Sequence, residues 1–87
     1  MTVEFWVVTY ENANGGEPEV YGTAEKAYEI MRITLIDYGK RYGFDSEEID
    51  IALKDMSIDF NNRLESDYFG GQIGECGVYA YKRSLEI

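Results

Sequence analysis

Seventeen carboxylates, eight tyrosines, a single cysteine and a cluster of glycines are the groups from which this chain could build chemistry, and it contains no histidine. Without an imidazole, the usual neutral-pH general base, the commonest metal ligand and any Ser/His or Cys/His nucleophilic pair are missing. The acids concentrate between Asp45 and Asp67, where eight carboxylates face only Lys54 and Arg63. A calcium loop needs ligands at alternate positions and a glycine at the sixth, and Asp45-Ser46-Glu47-Glu48-Ile49-Asp50 breaks that pattern at Ile49 and lacks the glycine. The acids are therefore expected on a solvated helix face, with Glu47, Glu48, Asp55 and Asp59 as its candidate acidic surface.

The segment Gly70-Gly71-Gln72-Ile73-Gly74-Glu75-Cys76-Gly77 invites comparison with a phosphate loop, but it has neither the Lys nor the Ser/Thr that such loops use, and it does not open a helix. It is expected to be an irregular, bulged turn, with Ile73 in a short strand or bulge ahead of the closing strand. Cys76 has no basic neighbour in sequence to lower its pKa and is expected to pack as a small hydrophobe. Four of the tyrosines, Tyr10, Tyr21, Tyr79 and Tyr81, fall at strand positions, where tyrosine is a good β residue in its own right. No cofactor or metal site is expected, and the chain reads as non-enzymatic.

These residues must be carried by few elements, because 87 residues make one small domain. Apolar residues at 45% and aromatic residues at 15% are too abundant for a disordered acidic tail. Val3 to Tyr10 is β-branched and aromatic and predicts a strand. Asn12-Ala13-Asn14-Gly15-Gly16 predicts a turn leading, past Pro18, into a short second strand at Glu19-Val20-Tyr21. Thr23 is a candidate N-cap for a helix with its stripe at Ala24, Ala27, Tyr28, Met31, Leu35, Tyr38 and Tyr42, closed by Gly43 or one turn earlier by Gly39. Asp45, with Phe44 and Ile49 as a hydrophobic staple, predicts a second helix with its stripe at Ile49, Ala52, Leu53, Met56, Phe60 and Leu64. Met56 to Phe60 also alternates in the manner of a strand, but no turn signal separates it from Leu53, so the helix is preferred. Val78 to Arg83 predicts a closing strand that pairs with the first.

The order is β-β-α-α-β, an α+β domain with two helices on one face of a small antiparallel or mixed sheet. After each element has filled its core face, apolar residues remain: Ile33 and Ile36 on the first helix, Ile51 and Ile58 on the second. On the first strand both faces are apolar, Val3, Phe5 and Val7 on one and Trp6, Val8 and Tyr10 on the other. A two-layer domain has one inner face, so the surplus predicts a surface that something covers. The expected surface contains Trp6 with Tyr10, Tyr79 and Tyr81 nearby, and the expected occupant is a second copy of the chain or another protein. The competing expectation is that the glycine-rich segment or Leu85-Glu86-Ile87 folds over that face.

A formal charge of -9 argues against direct nucleic-acid binding, since phosphates are repelled before contact. One cysteine needs no oxidising compartment, and no stretch resembles an export signal or membrane span, so the expectation is a cytoplasmic protein that does not bind membranes. The function expected is a non-enzymatic interaction module acting as a homodimer. The alternatives are an acidic inhibitor that imitates nucleic acid and blocks a basic site, and, more weakly, a small-ligand binder with a tyrosine-lined pocket between sheet and helices.

Overall fold

The computed structural model describes residues 1–11 and 17–87. The turn expected at Asn12 to Gly16 lies outside the described residues. The elements are β1 (Thr2–Glu11), β2 (Glu19–Tyr21), α1 (Ala24–Arg41), α2 (Ser46–Asn61), α3 (Arg63–Ser66), β3 (Tyr68–Ile73) and β4 (Cys76–Glu86). The sheet is four-stranded and antiparallel in the order β2-β1-β4-β3, so β1 and β4 are central. The α+β class holds; the order of elements differs from expectation by one additional strand, β3, and a single helical turn, α3.

Both long helices begin at the residues whose side chains can cap them. Thr23 Oγ1 accepts from the Lys26 amide at 3.1 Å, and Asp45 Oδ1 accepts from the Glu48 amide at 2.8 Å. Helix α1 passes through Gly39 and ends in a Schellman closure, in which Phe44 N–H donates to Gly39 C=O at 2.8 Å and Gly43 N–H to Lys40 C=O at 3.4 Å. That closure requires the left-handed backbone of Gly43, φ 80°. Residues 56–60 are helical, as the continuity of the stripe requires. The stripe stops at Phe60, however, because α2 ends at Asn61 and Leu64, one element further on, is 81% exposed.

Alternation sorts the strands onto two faces. Trp6, Val8 and Tyr10 of β1, Cys76, Val78 and Ala80 of β4, and Phe69, Gly71 and Ile73 of β3 face the helices. They meet Ala27, Met31, Leu35 and Tyr38 of α1 and Ile49, Ala52 and Met56 of α2 in one core. Phe69 is its centre, with ring centroids 5.2 Å from Trp6 and 5.0 Å from Phe60, and Phe60 in turn stacks on Tyr28 at 4.2 Å. Arg63 lies over the Phe60 ring at 4.0 Å and reaches Glu25 at 3.0 Å, tying α3 back to the start of α1.

The glycine-rich segment is regular, contrary to expectation. Ile73 and Cys76 are paired around a two-residue turn, Gly74-Glu75, in which Gly74 has φ 58° and Glu75 does not adopt positive φ. This is the pattern of a type II′ hairpin, with glycine first. Gly71 is part of the inner face because α2 rests on it: a Cβ there would lie 2.6 Å from Leu35 Cδ1 and 2.7 Å from Met56 Sδ.

Candidate interaction surface

Among the described residues, the helices cover one face of the sheet and none covers the other. Register places Val3, Phe5, Val7, Thr9 and Glu11 of β1 on that outer face. Beside them lie Tyr79, Tyr81, Arg83 and Leu85 of β4, Tyr68 and Gln72 of β3, and Val20 of β2. Val7 sits between Val20 on one side and Tyr81 on the other; Tyr81 is followed by Tyr68. The result is an apolar and aromatic band running across all four strands.

Glycines shape this band. Gly70 lies across the strand pair from Tyr79 and Gly77 lies two residues before it, both on the outer face. A Cβ at Gly70 would lie 2.6 Å from Tyr79 Cδ1, and one at Gly77 would collide with the phenol end of the same ring. The Tyr79 ring therefore lies across both glycines, flat on the sheet. Tyr68 is nearly parallel to it, 13° between planes at 6.3 Å, and tilts against Tyr81 at 5.1 Å. Burial pushes the hydroxyls of Tyr68 and Tyr79 above the ordinary tyrosine range, and Glu11 adds to both shifts, through a hydrogen bond in the case of Tyr79. Both hydroxyls thus stay protonated at neutral pH and present donors at the rim of an apolar face.

Charge is almost excluded from the band. Of the charged residues within the strands, Glu4, Glu19, Lys82 and Glu86 alternate onto the helix side, and only Glu11 and Arg83 belong to the outer face. Lys82 is held between Glu4 at 2.6 Å and Asp67 at 3.8 Å beyond the helical layer. Arg83 lies 5.3 Å from the centroid of Tyr81.

The sequence-derived interface residues divide between the two faces. Tyr79 and Tyr81 are on the outer face. Trp6 is not: at 7% exposure it lies beneath the helices against Phe69, and the expectation that it forms an outer surface is corrected. Tyr10 shares the inner side, where its hydroxyl and that of Tyr21 both donate to the Glu19 carboxylate. Ile36 packs half-buried against the core, while Ile33 is 60% exposed on the far side of α1. Both faces of β1 are apolar, as expected, but the set that includes Phe5 and Val7 is the one the helices leave uncovered. Tyr68 and Val20 were missed; the alternation of Tyr68 to Ile73 ahead of a Gly-Glu turn was the signal available for β3.

The covering segments expected in the competing reading are not there. The C-terminal residues through Glu86 pair with β1, and Tyr68 to Ile73 pairs with β4, so both lie in the sheet instead of over it.

The carboxylates Glu47, Glu48, Asp55 and Asp59 are all exposed on α2. Asp55 and Asp59 border a groove of about 280 Å³ beside the free edge of β3, floored by Gly70 and Gly71. Asp59 Oδ2 accepts from the outward-pointing Gly70 N–H at 3.2 Å, which occupies a donor that would otherwise template another strand. A second concavity, of about 310 Å³, lies at the sheet end between Tyr42, Phe44 and Gly74. The space between sheet and helices is filled by Val8, Met31, Leu35, Met56, Phe69 and Val78, which have no exposure to solvent worth counting. Among the described residues, no helix is long and apolar enough to cross a membrane.

Fold and surface together define a class: a small α+β protein with an open-faced antiparallel sheet. No protein family, curated protein or solved structure gives a significant match to the chain.

Proposed function

We propose that this chain is a non-enzymatic protein-interaction module whose working surface is the uncovered face of the sheet. One observation carries the reading: an antiparallel sheet with helices on one side ordinarily turns polar residues outward, and here Phe5, Val7, Val20, Tyr68, Tyr79 and Tyr81 occupy that side. Tyrosine and phenylalanine in such a band supply large rigid area with little ordering cost, the composition from which binding surfaces draw their energy. The acidic face of α2 supports a second reading, occupation of a basic groove on a partner in imitation of nucleic acid, because its four carboxylates are exposed and two of them border a groove.

The double variant Val7→Lys with Tyr81→Lys tests the first reading. It is expected to keep the native circular dichroism and a cooperative unfolding transition, while losing the associations the wild-type protein makes. Collapse of the fold would overturn the reading, because the face would then belong to the chain's own core; so would retention of every association. Binding that survives the double variant but weakens steeply with salt, and with charge reversal at Glu47, Glu48, Asp55 and Asp59, would transfer the function to the acidic surface.

A further inference from the structure

We infer that the occupant of the outer sheet face is a second copy of this chain, packed sheet to sheet about a two-fold axis that runs across the strands. The inference rests on the interaction-module reading and specifies its partner.

Its basis is the placement of the two charges on the face. Arg83 is opposite Phe5 and Glu11 is opposite Gly77, so they stand at opposite ends of the apolar band, six residue positions apart along adjacent strands. At about 3.3 Å per residue that separation is roughly 20 Å. With the strands of the two sheets aligned, as packed sheets commonly are, two face-to-face arrangements have a two-fold axis in the plane of the interface. An axis along the strands sets Arg83 over the partner's Arg83 and Glu11 over the partner's Glu11. An axis across the strands, passing over the position of Val8, sets each Arg83 over the partner's Glu11. Since β1 and β4 are neighbours about 4.8 Å apart and packed sheets stand about 10 Å apart, both side chains have the reach to meet. Only the second arrangement pairs opposite charges, and it does so twice.

The same axis superposes the position of Tyr68 and Tyr81 on that of the partner's Gly70 and Tyr79, so that the aromatic parts of the two bands meet each other. From Val3 to Glu11 and across about three strands the face has roughly 400 Å² of plane per copy before side-chain relief, so two copies bury on the order of 1,000 Å², the level at which specific association begins. The net charge of -9 does not oppose it. The acidic helices lie on the outside of the resulting four-layer stack, about 30 Å apart at about 10 Å per layer, well beyond the roughly 8 Å screening length.

The test is sedimentation equilibrium of the purified chain and of three variants, Arg83→Glu, Glu11→Arg and the double exchange. The wild type is expected to dimerise at micromolar to high-micromolar concentration. Each single reversal should raise the dissociation constant by about tenfold or more, because like charges then face each other twice, and the double exchange should return it to within a few-fold of wild type. Circular dichroism confirms that each variant is folded, which is expected because both positions are exposed. A wild type that stays monomeric at high-micromolar concentration overturns the inference, as do single reversals without effect or a double exchange that does not restore association. A monomeric wild type leaves the interaction-module reading standing, since that reading fails only if the Val7→Lys, Tyr81→Lys variant unfolds or keeps every association with other partners.

Discussion

Replacing Gly71 by alanine adds one methyl group where Leu35 of α1 and Met56 of α2 press on β3. The new Cβ would stand 2.6 Å from Leu35 Cδ1, 2.7 Å from Met56 Sδ and 3.0 Å from Met56 Cβ. Carbon atoms in comfortable contact are about 3.5 to 4.0 Å apart, so the neighbours must retreat by roughly 0.5 to 1 Å. Leu35 and Met56 are both fully buried, and neither can turn its end into solvent. An extra methyl in a packed core costs about 1 to 3 kcal/mol, and the reduced freedom of the unfolded chain returns about 0.4 to 1 kcal/mol. The expected net loss is about 1 to 2 kcal/mol, against a total stability of roughly 4 to 13 kcal/mol for a chain of this length. In urea unfolding followed by tryptophan fluorescence and far-ultraviolet circular dichroism, the midpoint should fall while the slope stays constant. Gly22→Ala is the control, because nothing lies within 4 Å of its Cβ and its stability should be unchanged or slightly raised. A Gly71→Ala protein as stable as wild type would refute the argument that α2 rests on β3 at this residue.

Trp6→Ala removes a ring that is 7% exposed and packed 5.2 Å from Phe69, so it should cost about 3 to 5 kcal/mol in urea unfolding; a loss below about 1 kcal/mol would mean that the indole is outside the core. Alkaline pH should unfold the protein through its tyrosines. Tyr10, Tyr21, Tyr38, Tyr68 and Tyr79 are all raised above their ordinary value, in each case first by burial. The folded state then holds protons that the unfolded chain releases near pH 10, so their stabilisation is complete below about pH 10 and is lost as pH climbs through the folded values. Phenolate absorbance and circular dichroism should therefore change together above pH 10, and an independent, ordinary tyrosine titration with the fold intact would contradict this.

Local rules were legible wherever a residue acts on its own neighbours in the chain. Thr23, Asp45 and Gly43 set the helix ends because capping is a matter of hydrogen bonds within one turn, and the stripes could be read down to Tyr38 on α1, beyond which Tyr42 is exposed, and down to Phe60 on α2. The 3.6-residue period also decided residues 56–60 in favour of helix. The alternation of β1 showed that both of its faces are apolar, which is a property of covalent spacing alone.

Which of those two faces the helices cover is not written in β1. Trp6 and Phe5 are equally apolar, and the choice depends on partners distant in the chain. Phe69 packs against Trp6 and is itself backed by Phe60, and the register with β4 puts Tyr79 and Tyr81 on the other side, beside Val7 and Thr9. The strand at Tyr68 to Ile73 was likewise a tertiary decision. Glycine lowers strand propensity when a residue is judged alone, yet Gly71 makes room for Met56 and Leu35, and Gly70 with Gly77 lets the Tyr79 ring lie flat. Sequence by itself determined β1, β2, β4, the two long helices and the surplus of apolar surface; only long-range packing decided β3 and where that surplus came to lie, because burial is a property of pairs of elements and periodicity is a property of one.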